Sequence, residues 1–169
     1  MGIGGGLNLL GFDGTPSFQV DPLGLACKGH RTGRLGERIA ARVLEALGFT
    51  DIQTIKNRSN HGIDLAARDA SGKLWFFEVK TSRGPRAPRL SKAQRRGPGG
   101  KGGSEAFVKD RLKKAAKPEG AWRRTDDPTT SDRADALLRE VRDDGFNGQV
   151  IEITELDSGS PQVAVSDWE

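Results

Sequence analysis

Two short segments place acids and a base where they can act together, Gly62-Ile63-Asp64 and Phe77-Glu78-Val79-Lys80. Successive side chains of a strand point to opposite faces, so Glu78 and Lys80 share one face and Trp75, Phe77 and Val79 the other. A Glu and a Lys inside so apolar a strand are costly to bury unless they are paired or hold a metal. The stretch Asp69–Lys73 (DASGK) carries a hairpin-turn signal between the two segments. An antiparallel pairing would bring Asp64 to Glu78. Two carboxylates held together repel each other, and a hard cation such as Mg²⁺ or Mn²⁺, which prefers oxygen ligands, relieves that repulsion. Such an ion polarises a phosphodiester oxygen and generates hydroxide from water. Lys80 can orient that water or stabilise developing negative charge. The competing reading is an exposed strand face with an ordinary cross-strand ion pair.

The elements that must position these residues are legible in outline. Arg34–Leu47 repeats Leu35, Ile39, Val43 and Leu47 at helical spacing, widened by Ala40 and Leu44. Thr32 is its expected cap and Gly48 its stop. Strands are expected at Phe49–Lys56, Ile63–Arg68 and Leu74–Thr81. Residues 83–103 read as a loop with a helical turn near Leu90–Arg95, followed by helices over Glu105–Ala116 and Asp132–Asp143. Gln149–Glu155 and Gln162–Ser166 read as closing strands. The order predicts an α/β fold with a mixed β-sheet flanked by helices.

The chain has 169 residues, enough for one compact domain. Its formal net charge is +4, with bases concentrated after Lys80. Among them Arg83, Arg86, Arg89, Lys92 and Arg95 are candidates for gripping phosphates, or else form a solvated loop. His61 can touch a substrate phosphate or simply face water. The single Cys27 excludes an intrachain disulfide and the usual multi-Cys zinc sites, including a deaminase zinc set. No run of about 18 apolar residues is present, so no membrane span is expected. The start of the chain lacks the pattern of a secretory signal. Residues 1–33 hold nine Gly and two Pro and read as a leader, with the main domain expected over 34–169.

The Asp…Glu-x-Lys pattern resembles the PD-(D/E)xK (restriction-endonuclease-like) nuclease superfamily over roughly residues 34–117. The residue before Asp64 is Ile63 and not the Pro of the family motif. The resemblance implies a restriction-endonuclease-like core and a catalytic set of Asp64, Glu78 and Lys80. It adds Glu37, in Gly36-Glu37-Arg38, as an acid on the preceding helix. Some members carry a Gln after the Glu-x-Lys strand, a place matched by Gln94. Metal ligands would then be Asp64, Glu78, Glu37 and the Val79 carbonyl. DNA is the expected substrate, with RNA as the alternative. A non-catalytic nucleic-acid-binding module is the rival reading.

Asp21-Pro22-Leu23-Gly24-Leu25 resembles the junction that closes the core of RHS-repeat proteins, beyond which a variable toxin domain follows. That resemblance implies self-cleavage between Leu25 and Ala26, with Asp21 in the cleaving machinery and the remainder of that machinery in the RHS shell. Together the two resemblances imply a polymorphic toxin delivered by a secretion system, for example type VI. It would act in the cytoplasm of a rival bacterial cell and be neutralised by a cognate immunity protein.

Overall fold

The computed structural model of the chain describes residues 28–169 apart from 118, 159 and 169. The RHS-like junction residues Asp21, Leu25 and Ala26, and also Cys27, lie outside the described residues. Among the described residues the α-helices and strands follow in the order α1 (Lys28–Ala46), β1 (Thr50–Lys56), β2 (Gly62–Arg68), β3 (Leu74–Thr81), α2 (Lys92–Arg96), α3 (Gly103–Ala116), α4 (Thr130–Asp143), β4 (Asn147–Thr154) and β5 (Gln162–Asp167). The strands form one mixed sheet in the order β1-β2-β3-β4-β5. Only β3 and β4 run parallel, joined by the crossover that carries α2, α3 and α4. Among the described residues no helix is long and apolar enough to cross a membrane.

β3 is central and apolar on both sides, as a strand covered on both faces requires. Phe76 and Leu74 pack with Phe107, Val108 and Leu112 of α3 and Leu137, Leu138 and Val141 of α4. Phe77 and Val79 pack on the opposite face with Ala40 and Leu44 of α1. Strand alternation therefore sorts β3 as the sequence implied. β2 departs from it: Ile63 joins the first core and Leu65 the second, although alternation alone would put both on one face. The strand turns over at Asp64, the residue between them.

α1 differs from expectation in two respects. It begins at Lys28, so Arg34 and Thr32 lie within it and Thr32 is not its cap. Its buried stripe is also rotated. Gly36, Ala40 and Leu44 face the sheet, while Leu35 and Leu47 are 41% and 59% exposed. Close approach is the cause. A Cβ on Gly36 would stand 1.8 Å from the Thr81 hydroxyl at the end of β3. The helix must present its smallest residue there, and that choice carries Glu37 to the rim of the sheet.

Candidate active site

β1 ends at Lys56, β2 starts at Gly62 and β3 ends at Thr81, and the pairings β1·β2 and β2·β3 are antiparallel. Lys56, Asp64, Glu78 and Lys80 therefore gather at one end of the sheet. Gly62 is needed for this. A Cβ on it would lie 2.0 Å from the Ile55 carbonyl oxygen, so any side chain would push β1 off β2.

Asp64 and Glu78 are brought together as the hairpin implied. Asp64 Oδ2 accepts the Val79 N–H at 2.8 Å, which pins its carboxylate beside β3. Glu78 is buried. Burial, and then the neighbouring Asp64 charge and carboxyl, push its pKa up to about 7, against the pull of Lys80. Near neutral pH the Glu78 carboxyl therefore stands between its protonated and ionised forms.

Lys80 Nζ donates to Glu78 Oε1 at 2.8 Å and to Gln94 Oε1 at 3.1 Å. Gln94 is brought into the centre through α2. Ser91 caps that helix: its hydroxyl accepts the Gln94 N–H at 3.3 Å, and the Ser91 N–H donates to Gln94 Oε1 at 2.8 Å. This reciprocal cap fixes which end of the amide is oxygen. Gln94 Nε2 is then the end turned to Glu78, and it donates to Glu78 Oε1. Trp168 Nε1 donates to the Gln94 carbonyl at 2.9 Å and ties α2 to the C-terminal edge of the sheet.

Glu37 reaches the centre through an intermediary that the sequence reading missed. Lys56 Nζ lies 2.6 Å from Glu37 Oε1 and 2.6 Å from Asp64 Oδ1. Its side chain is only 9% exposed. Burial alone would lower its pKa, but the Asp64 and Glu37 carboxylates together outweigh that and raise it, so it stays an ammonium. The Glu37 pKa is raised, chiefly by burial, against the pull of Lys56. The register offered a clue: Lys56 sits opposite Gly62, two residues from Asp64.

The centre thus holds three carboxylates (Glu37, Asp64, Glu78) and two ammonium groups (Lys56, Lys80), a formal charge of −1 with all five ionised. Among the described residues no three His, Cys, Asp or Glu side chains converge in a cluster suited to a metal. Asp64 and Glu78 are the two acids here that could hold a cation between them, which would relieve the burial and the Asp64 charge that hinder ionisation of Glu78.

The other nominated residues surround this end. His61 is exposed in the turn after β1, its N–H bound by the buried Asn57 side chain at 3.1 Å. Arg83 pairs with Asp157 at 3.1 Å. Arg86, Arg89, Lys92 and Arg95 are exposed on the segment after β3. A second basic group was not legible in the sequence. Arg58, Arg123 and Arg124 line a cleft of about 450 Å³ together with Ser59, Gly120 and Ala121. The Arg58 N–H donates to the Arg124 carbonyl at 3.1 Å, which fastens the β1–β2 turn to the α3–α4 connection. Basic residues therefore lie on both the β1 side and the β3 side of the acids.

No family model, no curated protein and no solved structure matches the chain.

Proposed function

We propose that this chain is a metal-dependent nuclease with a restriction-endonuclease-like core of the PD-(D/E)xK type, cutting DNA. The observation that carries the reading is the contact set at Glu78: Asp64 beside it, Lys80 and Gln94 both donating to it, at the end of a hairpin. An exposed strand face with an ordinary cross-strand ion pair does not fit Glu78, which is buried. An acid pair whose buried member is driven up to about 7 is the kind of perturbed group that marks functional sites.

Asp64, Glu78 and the Val79 carbonyl would hold a Mg²⁺ or Mn²⁺ ion. When bound, that ion would polarise the phosphodiester and acidify water. The remaining work falls to the chain itself. Lys80, held by Glu78 and Gln94, orients the attacking water and meets the charge that develops on the phosphate oxygens. Gln94 holds both Lys80 and Glu78 in place. The flanking arginines neutralise phosphates away from the scissile bond.

The RHS-like junction supports the biological side of this reading: a toxin released from an RHS shell into a competitor cell and neutralised by a cognate immunity protein. The direct test incubates the purified protein with supercoiled plasmid and with structured RNA, in Mg²⁺ and in EDTA. Plasmid nicking that needs Mg²⁺ is expected. Cleavage of RNA alone would move the substrate to RNA, and no metal-dependent cleavage of either would overturn the reading. Expression in bacteria should also stop growth unless the cognate immunity gene is present.

A further inference from the structure

Lys56 is the feature of the centre that the proposed chemistry leaves unused. It is a buried ammonium on the edge strand β1, gripped at 2.6 Å by one carboxylate from α1 and one from β2. Two acids from separate elements converging on a single cationic point is an arrangement that a divalent ion could also satisfy. Here the chain supplies the positive charge itself. Glu37 is consequently tied to Lys56 and does not join Asp64 and Glu78 in a common cluster. The packing makes the arrangement stiff, because Gly36 against Thr81 and Gly62 against Ile55 leave little room for α1 or β1 to shift.

We propose that the Lys56 ammonium takes the place of a second metal ion, so that the centre binds one divalent cation, through Asp64 and Glu78. This rests on the metal-dependent reading above. With Lys56 present, the space between Glu37 and Asp64 is already filled by an ammonium 2.6 Å from each. Without it those two carboxylates face each other with no cation between them, which invites a divalent ion at that point besides the one at Asp64 and Glu78.

Binding of Mn²⁺ separates the possibilities. Calorimetric titration of the full chain, without substrate, should give one Mn²⁺ per chain for the wild type and two for K56M. The double variant K56M/E37Q, which removes one bare acid along with the lysine, should return to one. Two ions in the wild type, or one in both the wild type and K56M, overturns the role of Lys56 while leaving a metal centre intact. No binding by the wild type overturns the metal-dependent reading along with it. If K56M does not fold without metal, it is refolded in Mn²⁺ and its metal content measured by mass spectrometry. Folded protein with two ions supports the proposal; failure to refold, or folded protein with one ion or none, contradicts it.

Discussion

Gln94 donates through Nε2 to Glu78 Oε1 because its own Oε1 is already claimed by the Ser91 N–H and by Lys80. A helix cap thus sets the direction of an amide in the candidate site. Gln94→Leu should remove a hydrogen bond to a charged group, worth about 1.5–3 kcal/mol. In plasmid cleavage this predicts a rate roughly 10- to 100-fold lower. Ser91→Ala, which touches neither acid, should lose about 1 kcal/mol of stability as a cap and also slow cleavage. An unchanged rate in both variants would show that Gln94 is no part of the machinery.

The raised pKa of Glu78 makes stability depend on pH in a definite sense. Its folded value is about 7 against an ordinary 4.5. Between those values the folded state keeps a proton that the unfolded state has released, so stability falls as pH rises through the window. Below pH 4.5 both states are protonated and the effect vanishes. The loss should reach on the order of 3 kcal/mol by pH 7 without metal. Urea unfolding in EDTA from pH 4.5 to 7.5 measures it. E78Q should flatten that slope, and an identical slope in E78Q would contradict the assignment.

Close packing of α1 on β3 predicts a steric cost at Gly36. Gly36→Ala brings a methyl to 1.8 Å from Thr81 Oγ1, so the helix must move or strain. Overpacking of this kind costs about 1–3 kcal/mol. Thr81→Ala removes a buried hydroxyl that has no hydrogen-bond partner among the described residues. It should therefore be tolerated alone and restore part of the Gly36→Ala loss in the double variant. Thermal melts of the four proteins test this; additive losses would mean the two residues do not meet.

The cleft of Arg58, Arg123 and Arg124 predicts a contribution to DNA affinity separable from chemistry. Exposed side chains contribute little to folding, so R123E/R124E should melt close to the wild type. Its affinity for duplex DNA in EDTA, followed by fluorescence anisotropy, should fall by about tenfold or more, with a shallower dependence on salt. An unchanged salt dependence would remove the cleft from the binding surface.

Much of this was legible in the sequence, and the failures have physical causes. The bounds of β3 follow from its aromatic and β-branched residues, and the meeting of Asp64 with Glu78 follows from the turn that folds β2 antiparallel onto β3. The predicted flank of α1, Ala40 and Leu44, is its buried centre; hydrophobicity favoured Leu35 and Leu47, whereas close approach to the sheet selected Gly36. Lys56 was missed because a lysine ending a strand looks solvated until two acids, 19 and 8 residues away in sequence, are folded around it. The Arg58 cleft joins residues some 65 positions apart in the chain, a proximity no local pattern encodes.

The rate of plasmid cleavage in Mg²⁺ by the wild type and by E78Q tests the central claim most directly. The substitution keeps the size of the side chain and removes its charge. Wild-type cleavage abolished by EDTA, with E78Q slower by about 100-fold or more, is the predicted result. Metal-independent cleavage, or E78Q cutting at the wild-type rate, would contradict it.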